Sequence, residues 1–230
     1  HFPTSRTIAE VSNPENNYCV ISLFKNDKRN ENMYFSQHFS TISYTPKIFM
    51  RLDSYYQLED IQSNSTNPNI SFSLDELLDK YQLGLGIAKG RSYGVELDKV
   101  INNPKYSKQI FSRSGVDVSS SLIKMLDKNR VQIVLGFVEE FQYTVEKLQI
   151  KNEFIILPID ESSGHVTGYV GCSKNAWGKK VIVEIDKALH ILYQNDRAKQ
   201  AIKYWLPSNM HQYMEQLFST AEQSDNESER

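Results

Sequence analysis

Leu83-Gly-Leu-Gly-Ile-Ala-Lys-Gly-Arg-Ser-Tyr-Gly94, continued by Val95 to Ile101, is the stretch whose reading decides the fold. It opens on a short apolar run, Leu85 to Ala88, of strand length. It passes Gly90, where glycine permits a tight turn, and reaches Ser92, a residue suited to cap a helix. Tyr93, Leu97, Val100 and Ile101 recur at i, i+4, i+7 and i+8, so the helix starting at Ser92 has one apolar face. Strand, small loop and helix in that order point free N–H groups back at the strand's carboxyl end. That arrangement suits an anion or a carbonyl, and it lies where open α/β sheets bind ligands. A plain connection without a ligand fits the same residues. There is no GxGxxG and no GKS/GKT phosphate loop, which argues against a nucleotide.

The 230 residues suffice for one large domain or two small lobes. Hydrophobic residues make 40% and charged residues 23%, an ordinary soluble composition. A net charge of -2 gives no reason to expect nucleic acid or an anionic membrane as partner. No apolar run reaches the length of a membrane span. The sequence starts at His1 with no visible signal peptide, so a processed or truncated chain is expected. The acidic, polar stretch 221–230 reads as a disordered tail. Cys19 and Cys172 are far apart, with no CxxC and no Cys/His cluster of metal spacing, so no metal site is expected. Both lie in strand-like apolar runs, compatible with two core thiols or with a disulfide between neighbouring strands.

Along the chain, residues 4–12 read as helix and Tyr18 to Phe24 as a strand rich in β-formers. A polar turn and short helix, Lys25 to Asn32, carries Arg29. Ile48 to Leu52 is a strand after Pro46, and residues 53–72 form a polar excursion with N-x-S/T matches at Asn64 and Asn69. Ser73-Leu-Asp-Glu76 is a capping box. Ile110-Phe111, Val131 to Phe137 and Phe154 to Ile159 are strands, alternating with helices that start near Val118 and Val138. That alternation implies a small parallel sheet with helices on both faces. Gly168 to Ser173 is a strand again, and Trp177 opens a long helix with Val181, Ile185, Ala188, Leu189 and Leu192 inward. A last helix covers 197–206.

Five segments in this order resemble the signature of bacterial periplasmic (extracellular) solute-binding proteins, type II, family 3, the polar-amino-acid-binding type. They are the strand Tyr18–Phe24 with its Lys-Asn-Asp-Lys-Arg29 turn, then Met33-Tyr-Phe-Ser36-Gln-His-Phe, then Gly-Leu-Gly-Ile-Ala-Lys-Gly-Arg-Ser92. Lys128-Asn-Arg-Val-Gln-Ile-Val-Leu-Gly and Tyr169-Val-Gly-Cys-Ser-Lys174 complete them. The chain is similar to an uncharacterised branch of that family. The resemblance implies an α/β, two-lobed type II fold, each lobe a small mixed sheet flanked by helices. Two hinge strands join the lobes, which close over a ligand. Lobe I would be 1–47 plus 170–220 and lobe II 51–167, crossing near Ile48–Arg51 and His165–Tyr169. The family's opening strand, helix and strand have no counterpart ahead of Ser12.

Carried over residue by residue, the resemblance implies a ligand-binding set and no catalytic residue or cofactor. Arg29 matches the arginine that forks onto a ligand carboxylate, and a solvated surface arginine is the plainer alternative. Ser22 and Phe24 alternate on one face of the first strand and match ligand-lining positions, or are ordinary core alternation. Gly90, Arg91, Ser92 and Tyr93 stand at the lobe II helix start. Arg91 there hints at a second anionic group on the ligand, or reaches out to solvent. Phe137 replaces the aspartate that meets a ligand amine. Glu139 and Glu140 follow at a helix start and either meet a cationic ligand or cap the helix. Tyr169 is an aromatic wall beside the second crossing, whereas Tyr44 and Trp177 fit core roles. The acidic pair Asp160-Glu161 reads as a solvated turn. The family's sheet puts Cys19 beside Cys172. The expected activity is capture of a small polar, carboxylate-bearing solute in the periplasm, by a monomer serving an ABC-transporter permease. A ligand sensor for a membrane receptor, or a dehydratase-like enzyme on the same scaffold, is the alternative.

Overall fold

In a computed structural model of the chain, residues 3–58, 71–162, 164–205, 211–212 and 214–219 are described. Asn64, Asn69 and the tail 221–230 lie outside them, as does the side chain of Trp205. In chain order the elements are α1 (Thr4–Ser12), β1 (Cys19–Leu23), α2 (Asp27–Asn32), β2 (Met33–Tyr44) and β3 (Lys47–Arg51). Next come α3 (Leu52–Tyr55), α4 (Leu74–Asp79), β4 (Leu85–Ala88), α5 (Val95–Ile101) and β5 (Ile110–Arg113). The chain continues as α6 (Val118–Asp127), β6 (Ile133–Gly136), α7 (Val138–Lys147), β7 (Phe154–Leu157), β8 (His165–Ser173), α8 (Ala176–Gln194) and α9 (Asp196–Trp205).

The chain divides into two compact units, His1–Ile8 with Tyr44–His165, and Ala9–Ser43 with Val166–Arg230. It passes between them at Ile8/Ala9, at Ser43/Tyr44 and at His165/Val166. Ile48–Arg51, expected as a crossing, is instead an interior strand of the first unit.

The first unit holds a five-stranded sheet of order β5-β4-β6-β3-β7. Strands β4, β5 and β6 are parallel, but β3 runs antiparallel to both β6 and β7. The parallel sheet inferred from alternation is therefore a mixed one. Its antiparallel strand comes from ahead of the alternating segment and inserts between β6 and β7. Alternation along β3 sends Ile48 and Met50 into the cluster with Leu77, Leu78, Leu85 and Leu97, and Phe49 into the other with Leu122, Leu126 and Phe141. Ser73 caps α4, accepting from the Glu76 N–H at 3.3 Å. Glu161 completes this cap. It accepts from Ser73 Oγ at 2.8 Å and from the Leu74 N–H at 3.0 Å. The Asp160-Glu161 pair is thus no merely solvated turn, because a carboxylate satisfies helix-start donors that a serine alone leaves open.

The second unit holds a three-stranded sheet, β1-β8-β2, with β1 antiparallel to β8. Cys19 pairs with Cys172 across that ladder, and a disulfide joins them with Cα atoms 4.0 Å apart. Asp186 of α8 accepts from the Gln37 and His38 N–H groups at 2.8 and 3.0 Å, tying α8 to β2. Helix α8 buries Gly178, Ile182 and Tyr193, while Ala188, Leu192 and Trp177 are exposed. Of the inward face read from periodicity, Val181, Ile185 and Leu189 pack against the cluster of Val170, Cys172 and Ile182, and Ala188 and Leu192 turn outward. A Cβ on Gly178 would come within 1.9 Å of the Ser173 carbonyl oxygen, so the helix lies with that glycine against the preceding strand end.

Candidate functional site

Strands β4 and β6 are neighbours, yet the chain leaves β4 for β5 on one side and leaves β6 for β7 on the other. Their carboxyl ends therefore flank a topological switch point, the place where open α/β sheets take ligands. Gly90, Arg91, Ser92 and Tyr93 follow β4 at this edge, and Phe137 and Glu139 follow β6. Gly90 has φ +81, and a Cβ there would stand 2.9 Å from Ser5 Cα, so both conformation and space ask for glycine.

Ser92 does not cap a helix. Helix α5 begins at Val95, behind Gly94 at φ +114. Asp98, in the helix's opening turns, reaches back to accept from Ser92 Oγ and, at 2.9 Å, from the Tyr93 N–H. A carboxylate of the chain thus holds the donors that the sequence offers to an anion. Tyr93 is 1% exposed, and its hydroxyl accepts from the Ala88 N–H at 2.9 Å. Burial pushes its phenol up to about 12. Both residues shape the loop.

Arg91 neither reaches into solvent nor waits for a second anion. Its Nη1 and Nη2 donate to Glu140 Oε2 and Oε1 at 2.6 and 3.2 Å. Ser119 Oγ donates to Glu140 Oε1 at 2.5 Å, and the guanidinium stands 5.8 Å from the Phe137 ring centroid. Glu140, rather than exposed Glu139, is the acidic residue built into this edge. Beneath the pair, a cavity of about 20 Å³ is lined by Phe49, Phe137 and Phe141, with room for about one water. Burial raises the Glu140 carboxyl, but the bonds and charge of Arg91 outweigh it and hold the group below its ordinary range. A depressed carboxylate contributes stability that is present above its unfolded pKa and lost as pH falls through the folded one. Wild type is expected to lose stability below about pH 4.5 more steeply than Glu140→Gln does. Superimposable urea-midpoint profiles between pH 3 and 7 would reject the role given to this pair.

In the second unit Arg29 is 7% exposed, which overturns the solvated alternative. Asn26 caps α2 by accepting from the Arg29 N–H at 2.9 Å, and Arg29 Nη1 donates to the Phe24 carbonyl at 2.7 Å. Ser22 and Phe24 do not continue one alternating face. The β1–β8 register shifts between Val20 and Leu23, and Ser22 adopts φ +62. Ser22 is exposed and its N–H donates to Ser40 Oγ at 3.2 Å, while Phe24 is half-buried. Tyr169 is half-buried, with Lys25 Nζ 3.6 Å from its ring centroid. Among the described residues, no group of three or more His, Cys, Asp or Glu is placed to hold a metal ion.

One residue of this edge has no motif to announce it. Lys47 opens β3 and pairs in register with Gly136, the last residue of β6. Its Nζ donates to Thr45 Oγ1 at 3.3 Å, and burial lowers the ammonium from its ordinary value. Burial and then the Lys47 charge also lower the imidazole of His165, whose ring stacks on Tyr44 with centroids 5.8 Å apart.

The backbone geometry has well-matched counterparts. A crystallised histidine kinase sensor domain with similarity to periplasmic binding proteins superposes with a TM-score of 0.62. It is 13% identical, over 86% of this chain and 73% of that one. An ABC uptake transporter substrate-binding protein from Streptococcus pneumoniae with bound histidine gives a TM-score of 0.59 at 14% identity, over 87% and 71% of the two chains. The fold is that of the type II periplasmic solute-binding proteins. The solute receptor for L-cysteine of Neisseria gonorrhoeae shares the solute-binding fold at a TM-score of 0.59 and 9% identity, over 89% and 70%. No protein-family model matches the sequence, and no curated protein does.

Proposed function

We propose that the protein binds a small polar, carboxylate-bearing solute in a bacterial periplasm and delivers it for uptake through an ABC-transporter permease. The fold carries this reading. It is matched over 87% of the chain by a substrate-binding protein with bound histidine, and over 89% by a receptor for L-cysteine. Those two amino acids share little beyond the α-carboxylate and the α-amine. A buried guanidinium, Arg29, supports the carboxylate, since a planar fork binds one with two parallel bonds. The Cys19–Cys172 disulfide supports an oxidising compartment. The hinge closure implied by the resemblance belongs to this proposal, as does binding rather than catalysis. A thermal-shift screen of amino acids, dicarboxylates, polyamines, sugars and short peptides is expected to give hits confined to carboxylates. Ligand at about a hundred times its Kd adds roughly 2.7 kcal/mol. Arg29→Ala is expected to lower affinity by about 2 kcal/mol, roughly thirtyfold. Unchanged affinity in that variant would sink the assignment of Arg29.

The likeness to a histidine kinase sensor domain favours a second reading, in which the bound state is passed to a membrane receptor. Deleting the gene separates the two. Loss of uptake of the identified ligand supports transport. Intact uptake with a lost transcriptional response supports sensing.

A further inference from the structure

We infer that Lys47, together with Thr45, Tyr44 and His165, forms a subsite in the first unit that takes a carboxylate group of the bound solute. The inference rests on the solute-binding reading and sharpens it. The cations near the expected site differ in how they are satisfied. Arg91 is held by Glu140. Arg29 donates to the Phe24 carbonyl, and Lys25 lies over the Tyr169 ring within the field of Asp186. Lys47 has a hydroxyl as its partner, that of Thr45, which is only 2% exposed. Among the described residues no carboxylate pairs with Lys47.

Its position is as informative as its lack of a counter-charge. Because β3 is antiparallel to its neighbours, its first residue stands at their carboxyl ends. Lys47 is therefore opposite Gly136, one residue before Phe137. Phe137 brings no charge to this edge, and Arg91 and Glu140 cancel one another. Lys47 is left there as a half-buried positive group, whereas Lys89 in the loop after β4 is exposed. A half-buried ammonium has given up part of its hydration, and the nearby imidazole feels its charge. An anion seated on Lys47 replaces that hydration. The Thr45 hydroxyl orients the ammonium by accepting from it, and the Tyr44 ring stacks on His165 beside it. A monovalent carboxylate matches one ammonium.

The test uses the full chain and two probes, succinate and propionate, at constant ionic strength against chloride. Both Kd values from titration calorimetry are compared for wild type, Lys47→Gln and Arg29→Ala. Competitive labelling of wild-type lysines with acetic anhydride, read by mass spectrometry, is run with and without succinate. The expected result is at least a tenfold weaker succinate Kd in Lys47→Gln, and Lys47 protected from acetylation by succinate. Labelling needs no variant, so it decides the matter even if Lys47→Gln fails to fold. Succinate binding that survives in Lys47→Gln and fails in Arg29→Ala, with Lys47 acetylated equally either way, overturns the subsite and leaves the solute-binding reading standing. If neither carboxylate binds the wild type, the subsite falls, and the solute-binding reading falls only if the thermal-shift screen is silent as well.

Discussion

Replacing Cys19 and Cys172 together by alanine is expected to lower the unfolding free energy by about 3–5 kcal/mol, or Tm by roughly 10 °C. The bond spans a sequence separation of 153 residues, and a loop of that length loses much configurational freedom when closed in the unfolded chain. Both half-cystines belong to the second unit, whereas the loop they close contains the whole of Tyr44–His165. The bond therefore pins together two segments that the first unit separates in sequence. Cys172 is 0% exposed and packs with Val170 and Ile182, so alanine at that position also leaves a small void. The loss should fall unevenly. Amide exchange in β1, β2 and β8 is expected to quicken in the double variant, and exchange in β4 and β6 to stay close to wild type. Equal acceleration in both sheets would contradict a bond that acts on the second unit. Two reactive thiols in the untreated native protein would contradict the bond itself.

What could be read from the sequence divides along physical lines. Strand and helix positions were legible because they are local. Leu85–Ala88 is a four-residue apolar run, and the faces of α6 and α7 repeat at helical spacing. Sheet order was less so. The place of β3 between β6 and β7 depends on pairings made with residues 83 to 109 positions away, and no local pattern records them. At the candidate site, side chains of the chain itself take donors that the sequence offers to a ligand. Asp98 takes the donors at Ser92 and Tyr93, and Glu140 takes Arg91. Each of those carboxylates was visible as a residue, but its reach was not. The close seat of α8 on the end of β8 had a signal in Gly178, since a glycine near a helix start often marks a close approach. Lys47 had none. It becomes interesting only when the antiparallel direction of β3 puts it at the carboxyl edge of the sheet.

Phe49→Ala is expected to cost about 3–5 kcal/mol, and the reason extends to the site. Phe49 is 0% exposed at the middle of β3, the strand that pairs with both β6 and β7. Its ring stacks on Phe141 of α7 with centroids 3.9 Å apart and planes 3° from parallel. Truncation removes that pair, leaves a cavity against Val134 and Leu122, and loosens α7 from the sheet. The same ring lies under the site edge. A Cβ on Gly136 would be 3.4 Å from Phe49 Cε2, and Phe49 lines the cavity beneath Arg91 and Glu140. With the ring gone, water reaches the ion pair and screens it, because a charge pair weakens as its surroundings become more polar. Phe49→Ala should therefore be less stable at neutral pH and also show a shallower loss of stability below about pH 4.5, approaching the profile of Glu140→Gln. Tyr143→Ala, on the same helix but 66% exposed, serves as control and should stay within about 0.5 kcal/mol of wild type. Urea unfolding of the three proteins at pH 7 and pH 4 measures both effects. A loss in Phe49→Ala below about 1 kcal/mol would contradict the packing. A full loss with an unchanged acid slope would show that the ring supports the sheet without shielding the pair.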